Sequence, residues 1–411
     1  MSNYDPGDFN RTPFTSSFAP YNHSGRWLSW SRYHVPEAFA GHDAELRALR
    51  EAVVLEDKSP MTKYYISGPD AAAFLNSVMT RDAGRIELDH AFFTAFCNEQ
   101  GKLIEELPVF RLGETLYCTT GIRLESWFRS HSDGYDVEIE DVSESFGVLT
   151  CQGPNSRALL EAVTGEDWSS LRFARGRKTV IAGVEVGIWR LGFTGGLGYE
   201  LWVPAAGAGA VFEAAMEAGE HLGIQPWGIN AVHAARVEAG FLIPGVDYLS
   251  ADPTTQVAPY DTSDEEAIVS PYEVGLGRFI DLDKEADFVG KQALLDEQAA
   301  GGPLRSFVGL ELDWADIVAM YVEAGLPPEV SRQIRWERLP VLLGGQRVGT
   351  ACSVIWHPGL GKLIGFGQIQ HAAAEPGTRV GVDWHDEGER TVVGATVVKV
   401  PFMSRSQMYS G

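Results

Sequence analysis

Residues 192–204 read Gly-Phe-Thr-Gly-Gly-Leu-Gly-Tyr-Glu-Leu-Trp-Val-Pro, a glycine-rich turn that leads directly into an apolar strand. Glycine adopts positive φ values and lets a backbone come close to a flat ligand. Glu200 stands where this turn enters the strand, and its carboxylate suits a ligand that donates two hydrogen bonds in one plane, as a pterin does. An ordinary glycine-rich turn with an exposed Glu200 is the alternative. The rest of the sequence has to decide between them.

The composition is that of an ordered, acidic protein with several domains. The chain has 411 residues, of which 45% are hydrophobic, and a formal charge of −23. Such a charge disfavours nucleic acid and anionic lipid as partners, although it also serves solubility or salt tolerance. Four scattered cysteines without a CxxC pair predict buried thiols in a reducing compartment and no metal site. The first 25 residues contain no apolar leader, and no run of about 18 apolar residues occurs, so we expect a cytoplasmic protein without a membrane partner.

Two stretches share the order strand, Gly-Pro, helix. In the first, Tyr64–Ser67 precedes Gly68-Pro69; in the second, Cys151 precedes Gly153-Pro154. This repetition indicates two related α+β units, which we place within residues 1–300. The other elements predicted there are an extended lead-in over 1–25, helices over 37–53, 205–223 and 229–240, strands over 92–96, 103–112 and 115–120, and a polar surface excursion over 250–270.

Short strands separated by glycine pairs and turns begin at about residue 305. They are predicted over 307–312, 338–343, 349–355, 363–369, 379–383 and 392–400. Six such strands favour a closed or nearly closed β-barrel, which we assign to a C-terminal domain over residues 301–411. Neither GxGxxG nor GxxxxGK[ST] occurs, so no Rossmann or P-loop site is indicated.

Two adjacent carboxylates, Glu105 and Glu106, lie on a predicted strand that follows a hairpin turn at Asn98–Gly101. Successive side chains of a strand point to opposite faces, so only one of the two can face an interior site. Both faces are otherwise apolar, and a carboxylate near a core needs a ligand or a cation. An edge strand with both carboxylates in solvent is the alternative.

The predicted helix over 229–240 places His233 and Arg236 on one face, because the two residues are three positions apart. Arg236 can hold a carboxylate bidentately, and His233 can donate a proton near neutral pH. The structural alternatives are a buried histidine and an ion pair that serves stability alone. Tyr248, which follows in Gly245-Val246-Asp247-Tyr248, is a possible phenol donor or a packed tyrosine.

Taken together, these motifs resemble the aminomethyltransferase (glycine-cleavage T-protein) superfamily of tetrahydrofolate-dependent enzymes. The resembling stretches follow the family order over nearly the whole chain: FTAFCNEQGKLIEELPVF (93–110), CQGPNSRAL (151–159), RLGFTGGLGYELWVP (190–204), ARVEAGFLIPGVDY (235–248), SPYEVGLGRF (270–279), DFVGKQAL (287–294) and VVKVPF (397–402). The resemblance implies an α+β, multi-domain cloverleaf around a central folate channel, with a C-terminal β-barrel domain and tetrahydrofolate as the cofactor.

The family's functional residues carry over by position. Glu200 matches the acid that grips the pterin, and Glu106 matches the second acid of the T-protein's Asp-Asp pair, near the reacting nitrogen. The residues expected to bind the cofactor are Glu200, Arg236, Phe93, Phe110, Thr120 and Tyr199. The Arg-Asp pair of the T-protein helix is Val232-His233 here, which argues against an aminomethyl lipoyl carrier protein as partner.

Within the superfamily the chain looks most like the demethylases, which move a methyl group from a small molecule to N5 of tetrahydrofolate. SPYEVGLGRF, an insertion around Asp316–Pro328 and VGVDW (380–384) resemble the vanillate- and syringate-type aryl-ether demethylases, whose substrate is the leading expectation. RTPFTSSF (11–18), VPEAF (35–39) and MTRD (79–82) resemble the dimethylsulfoniopropionate demethylase, so a sulfonium or a methylated amine is the alternative donor.

The two classes of methyl donor place different requirements on the site. An aryl ether needs an acid for its leaving phenolate, for which His233, Tyr248 and His34 are the candidates. A sulfonium leaves as a neutral group, and Trp27, Trp30 and Tyr33 would cage its charge. The residues expected to bind the donor are Trp30, Tyr33, His34 and Arg123, the last as replacement for a missing cation beside Thr120. Two rival functions are a non-catalytic folate-binding module, whose Lys-Gly-Cys motif is absent, and the folate domain of a flavin-dependent dehydrogenase.

Overall fold

The computed structural model describes residues 10–255, 265–330 and 332–404, so residues 1–9 of the predicted lead-in and 256–264 of the predicted excursion lie outside the described residues. The α-helices within these ranges are α1 Thr15–Phe18, α2 His42–Glu51, α3 Ala71–Val78, α4 Glu125–Ser130, α5 Ser156–Thr164, α6 Ala208–Gly219, α7 Ile229–Ala239, α8 Lys291–Ala299 and α9 Trp314–Glu323. The strands of the first 300 residues are β1 Trp27–Trp30, β2 Tyr33–Pro36, β3 Val53–Asp57, β4 Thr62–Ser67, β5 His90–Cys97, β6 Leu103–Arg111, β7 Leu116–Gly121, β8 Glu138–Asp141, β9 Phe146–Gln152, β10 Gly176–Ile181, β11 Val184–Trp189, β12 Gly198–Pro204 and β13 Ile224–Pro226.

Two sheets in this part of the chain repeat one topology. The order is β5-β6-β7-β4-β8 in the first and β10-β11-β12-β9-β3-β13 in the second. In each sheet a strand leads through Gly-Pro into a helix, and three antiparallel strands follow: β4-α3-β5-β6-β7 and β9-α5-β10-β11-β12. The last of the three strands, β7 or β12, pairs with the strand that precedes the helix, β4 or β9. Gly68 and Gly153 have φ values of 121° and 116°, which favour glycine at both turns. The duplication supports the interpretation of two related α+β units.

The C-terminal strands form a closed barrel, as the sequence predicts. They are β14 Arg305–Leu312, β15 Leu339–Leu343, β16 Gln346–His357, β17 Lys362–Gln370, β18 Arg379–Asp386 and β19 Glu389–Val398. The barrel order is β14-β17-β16-β15-β18-β19, with β14 also paired to β19. Closure leaves these strands without an unpaired edge. The mixed α+β class and the C-terminal barrel are therefore confirmed.

Several predicted boundaries change in the structure. Helix α2 begins at His42 rather than at residue 37, and Val53 starts β3. The helix predicted over 205–223 is α-helical only over Ala208–Gly219, with 3-10 turns on both sides. The lead-in contains α1 because Phe14 and Phe18 turn into the core, where they are 0% and 1% exposed.

Two further properties concern the whole of the described chain. Its four cysteines are free and buried. None of its described helices combines the length and the apolar character that a membrane crossing requires.

Candidate functional site

The inner faces of the two sheets turn toward each other and carry five of the predicted site residues, Phe93, Glu106, Phe110, Thr120 and Glu200. Phe93 pairs with Pro108 and Ala95 with Glu106, so Phe93 and Glu106 share a face with Phe110. On the other sheet, Glu200 pairs with Thr150, which in turn pairs with Glu56. The sheets meet where the Phe110 ring lies 4.8 Å, between centroids, from the rings of both Trp189 and Trp202.

Glu200 is a buried carboxylate with a buried cation beside it. It is 6% exposed, and its Oε1 lies 3.4 Å from Nζ of Lys58, which among the described residues is its one ion-pair partner. The Lys58 ammonium also lies 4.8 Å from the centre of the half-buried Phe193 ring. A carboxylate, a cation and an aromatic face thus converge at the end of the glycine-rich turn, and this donor and acceptor set suits the polar edge and flat ring of a pterin.

Gly195 has the positive φ value, 72°, that favours glycine, whereas Gly192 and Gly198 are required for a different reason. A Cβ atom at Gly192 would lie 2.1 Å, and one at Gly198 2.0 Å, from Oε1 of Gln152. The Gln152 amide fills this space, donates to the carbonyls of Leu191 and Tyr199, and accepts a hydrogen bond from Thr194 at 3.2 Å. The absence of side chains at residues 192 and 198 therefore accommodates a glutamine of the neighbouring strand. A flat ligand is not needed to explain it.

Lys58 and Lys63, two buried lysines near Glu200, were not predicted from the sequence. Lys63 is 0% exposed, and its Nζ donates to the carbonyls of Ser59 at 2.9 Å and Met61 at 2.7 Å. Burial lowers the pKa of Lys63 to about 8, against the influence of nearby acids that include Glu200. Its carbonyl contacts hold the segment that follows Lys58. The signal that was available is the charged run Glu56-Asp57-Lys58 directly after the apolar Val53-Val54-Leu55.

Glu105 is the carboxylate that turns away from this inner face. It is 2% exposed, and its two oxygens accept hydrogen bonds from the backbone N–H groups of Glu106 at 3.0 Å and Ile122 at 2.9 Å. The Tyr248 hydroxyl donates to Oε1 of Glu105 over 3.4 Å. Burial raises the pKa of Glu105 to about 7, although these hydrogen bonds oppose the rise. Neither Glu105 nor Glu106 is a solvated edge-strand residue.

Glu106 is half-buried on the inner face, as the strand alternation predicts for one of the pair. Burial first, and then the negative charges of Glu105 and Asp247, raise the pKa of Glu106 well above its usual value. The positive charge of Arg236 opposes this rise only in part. Glu106 therefore carries a proton over a wider pH range than an ordinary glutamate, which suits a group that exchanges protons with a bound molecule.

Arg236 is held in a buried ion pair, and its contact with the cofactor stays a prediction. The side chain is 0% exposed, and its Nη1 donates to Asp247 at 2.6 Å and to the carbonyl of Phe241 at 3.1 Å. Its Nη2 donates to the Ser353 hydroxyl at 2.6 Å. Since Ser353 belongs to β16, this buried ion pair joins α7 to the barrel. These contacts agree with the structural alternative for Arg236, an ion pair that serves stability.

His233 is not placed to act as an acid near neutral pH. It is 3% exposed, and its ring meets the Trp336 ring edge to face at 5.0 Å. Burial and the neighbouring Arg236 charge hold the pKa of His233 well below its usual value, so the imidazole is neutral at pH 7. Tyr248 is also a poor proton donor, since burial and the charges of Glu105 and Glu106 raise its pKa well above 10. The burial of both side chains does not favour a role as catalytic acids, and that role stays a prediction.

The aromatic and hydroxyl residues predicted for the folate slot lie in three different surroundings. Phe93 is half-buried on the inner face, and Thr120 lies on the same face beside Lys63, with which it pairs. Phe110 is fully buried between Trp189 and Trp202, so it packs the two sheets together. Tyr199 occupies the face of β12 opposite to Glu200 and lies in the core beneath α5 and α6. Phe93 and Thr120 therefore lie on the face opposite Glu200, whereas Tyr199 points away from it.

The residues predicted to bind the donor lie on the β1–β2 hairpin and near it. Trp30, Tyr33 and His34 are half-buried there. Burial and then the charges of Glu144 and Asp141 raise the pKa of Tyr33, which shows that its hydroxyl lies near an acidic surface. Nη1 of the exposed Arg123 is 3.9 Å from Glu125 and 4.0 Å from Asp141. Arg123, the cation expected to bind an anionic donor, therefore lies near two carboxylates of the chain itself.

Comparisons with known proteins agree along nearly the whole chain. A profile of the GCVT N-terminal domain matches residues 17–284, and one of the glycine cleavage T-protein C-terminal barrel domain matches residues 324–403. An aminomethyltransferase of Listeria monocytogenes is 31% identical over 404 residues, which cover 97% of this chain and 99% of that protein. One of Shouchella clausii is also 31% identical, over 97% of this chain and 98% of that protein. The crystal structure of glycine cleavage system aminomethyltransferase T from Bartonella henselae has the same fold, with a TM-score of 0.78 at 20% identity and coverage of 96% and 98%.

Proposed function

Since this chain belongs to the glycine-cleavage T-protein (aminomethyltransferase) family, we propose that it transfers a methyl group from a small methylated donor to tetrahydrofolate. The family is folate-dependent, and the facing sheets offer a set of groups that suits a folate. The observation that carries the proposal is the convergence of buried Glu200 and Lys58 with the half-buried Phe193, opposite the sheet that bears Glu106 and Phe93. Residues 1–300 would form the folate-binding catalytic region and residues 301–411 the barrel domain, in a cytoplasmic protein.

In this proposal the chain's own residues bind and orient both reactants. Glu200 would accept hydrogen bonds from the pterin edge, Phe193 and Phe93 would contact its faces, and Thr120 would bond to its rim. When bound, tetrahydrofolate would supply N5 as the acceptor, which gains a bond to the methyl carbon and loses its proton while the bond to the donor atom breaks with its electron pair left on that atom. Holding reactants in line accounts for a large share of such a rate enhancement.

Glu106 is proposed to handle the proton that this transfer releases or requires. Burial and the negative charges of Glu105 and Asp247 raise the pKa of Glu106 well above its usual value, and Glu105 with Tyr248 fixes the strand from the other side. General acid or base action of this kind contributes roughly 100- to 10,000-fold in rate. Tyr248 and Glu105 are therefore proposed as positioning residues for Glu106.

The donor is proposed to be a methylated molecule without a carrier protein. In support, the helix position that bears Arg-Asp in the T-protein is Val232-His233, and both residues are buried here. A methoxylated aromatic acid was the leading expectation, but its phenolate needs an acid, and with His233 neutral and the pKa of Tyr248 raised, only His34 and Glu106 remain for that role. The exposed Arg123, expected to bind the donor's carboxylate, lies 3.9 and 4.0 Å from two acids of the chain. A sulfonium or methylated-amine cation leaves as a neutral group, so we favour it.

A second candidate is aminomethyl transfer from a lipoyl carrier protein. The observation in its favour is the 31% identity to proteins named aminomethyltransferase over nearly the full chain. Glu106 and Glu200 would serve that reaction as they serve methyl transfer, so only the donor separates the two functions.

The deciding experiment is a panel of donors incubated with tetrahydrofolate and the purified protein. The panel contains a methylsulfonium acid, di- and trimethylated amino acids, methoxybenzoates and an aminomethylated lipoyl carrier protein, with product folates identified by mass. We expect 5-methyltetrahydrofolate from an onium donor. Formation of 5,10-methylenetetrahydrofolate from the carrier alone would establish the second candidate instead. If folate binds and no donor is consumed, the chain is a folate-binding module.

A further inference from the structure

Lys58 carries more hydrogen-bond donors than the described residues use. The residue is 7% exposed, and an ammonium group has three N–H donors and no acceptor. One donor is directed to Oε1 of Glu200 over 3.4 Å, which is long for a hydrogen bond. Within the described residues Glu200 is the one acceptor that the ammonium meets, since its other contact is the Phe193 ring at 4.8 Å. Lys58 therefore keeps N–H groups for a bound molecule.

The two other buried lysines of the described chain are engaged by the backbone. Nζ of Lys63 donates to the carbonyls of Ser59 at 2.9 Å and Met61 at 2.7 Å. Nζ of Lys284, which is 4% exposed, donates to three carbonyls within residues 76–81, at 2.7, 2.6 and 3.2 Å. These two ammonium groups hold loops of the chain in place. A buried donor without an acceptor is costly, so the difference marks Lys58 as the lysine that a ligand completes.

Glu200 has unused capacity of the opposite kind. A carboxylate offers about four acceptor positions, and among the described residues only the Lys58 ammonium bonds to this one. The two groups lie side by side where the glycine-rich turn ends, on the face of the six-stranded sheet that is turned toward Phe93 and Glu106. Phe193 beside them is half-buried, so solvent reaches this part of the space between the sheets. The pair thus presents acceptors next to donors where a small molecule can meet them.

The polar edge of a pterin has the complementary order of groups. It presents the C4 carbonyl oxygen, the N3–H and the 2-amino group side by side in the plane of the ring. The Glu200 carboxylate would accept from the two donors, while the Lys58 ammonium would donate to the carbonyl oxygen. A 4-amino pteridine carries an NH2 donor in place of that oxygen, and an ammonium cannot accept from it. The two rings therefore differ at the atom that Lys58 would meet.

We propose that Lys58 donates a hydrogen bond to the 4-oxo group of the bound folate and thereby selects 4-oxo pterins against 4-amino pteridines. The proposal rests on the proposed function, since it takes tetrahydrofolate as the ligand of Glu200. The Phe193 ring keeps the ammonium beside Glu200 through its cation–π contact. A buried donor that one ligand satisfies and another leaves unpaired discriminates more strongly than an added apolar contact does.

The test compares two ligands, tetrahydrofolate and its 4-amino analogue, titrated anaerobically into the full-length protein by calorimetry. We expect the wild-type protein to bind tetrahydrofolate at least about tenfold more tightly than the analogue, because a hydrogen bond to a charged group contributes that much. Lys58→Met should lower this preference about tenfold, by weakening the binding of tetrahydrofolate and not that of the analogue. Lys178→Met, which removes an exposed lysine paired with Glu185 at 2.9 Å, should keep the wild-type preference. A merely structural effect on the site would weaken both ligands alike and leave their ratio unchanged.

Lys58→Gln provides a second variant in case Lys58→Met does not fold. Its amide can donate to the oxo group or, turned over, accept from the amino group, so the preference should fall toward equal affinities. A wild-type preference in the folded variant would overturn the role of Lys58. If the preference depends on Lys58 but no donor methylates folate, the pterin contact stands without the proposed function; if folate is methylated and the preference does not depend on Lys58, the function stands without this contact. Failure of the wild-type protein to bind tetrahydrofolate would overturn both.

Discussion

Arg236→Met should lower the stability of the protein much more than its affinity for folate. The guanidinium is 0% exposed and bonds to Asp247 and Ser353, so its removal leaves a buried carboxylate without its counter-charge. Removing one partner of a buried ion pair costs about 3–5 kcal/mol. Asp247 keeps donors from the Ile243 backbone at 2.8 Å and from the Ser353 hydroxyl, which places the expected loss near the lower end, about 3 kcal/mol. For a chain of 411 residues a fall in Tm of roughly 3–4 °C follows.

Thermal melts followed by circular dichroism measure this loss, and a folate titration at 15 °C measures binding by the folded fraction. Arg123→Met is the matched control, because an exposed arginine with contacts of 3.9 and 4.0 Å contributes about 0.5 kcal/mol or less. In the double variant Arg236→Met/Asp247→Asn the losses should be less than additive. An unchanged Tm together with loss of folate binding would refute the ion-pair reasoning and restore the contact with the cofactor that the sequence predicts.

Three further outcomes test the remaining groups. Glu200→Gln should raise the Kd for tetrahydrofolate about tenfold, since a charged hydrogen bond contributes about 1.5–3 kcal/mol, while exposed Glu213→Gln should not change it; equal Kd values would remove Glu200 from the site. Glu106→Gln should lower kcat about 100-fold with the folate Kd kept, and a normal kcat would show that its proton is not used. Glu56 has a pKa of about 7 in the folded protein against an ordinary 4.5, so the wild-type protein loses stability as the pH rises between these values. Glu56→Gln does not titrate, so its free energy of unfolding relative to wild type should increase by about 2 kcal/mol from pH 5 to pH 8. Thermal melts of both proteins measure this difference, and a difference that stays constant with pH would contradict the raised pKa.

Local patterns in the sequence were sufficient for the architecture. The Gly-Pro helix starts at Gly68 and Gly153, the hairpin before Glu105 and the strands of the barrel depend on turn residues and on alternation within a few positions. The same alternation correctly separated the faces of Glu105 and Glu106. Each of these features is encoded by neighbours in the chain.

The site was less predictable, because its contacts join distant residues. Lys58 meets Glu200 across 142 positions, and Arg236 meets Ser353 across 117. Whether Arg236 faces a ligand or an aspartate depends on how the barrel packs on α7, which no local pattern specifies. His233 likewise became neutral through burial against Trp336, a residue far along the chain.

The effects of substitutions at Gln152, Gly192 and Gly198 depend on one another. With Gln152 in place, a side chain at Gly192 or Gly198 has no room, and the cost of either substitution depends on what occupies residue 152. A smaller residue at 152 would release both glycine positions at once, while the amide bonds to Leu191 and Tyr199 would be lost together. Substitutions at these three positions are therefore epistatic, and glycine at 192 and 198 reports the size of the residue at 152 rather than the presence of a ligand.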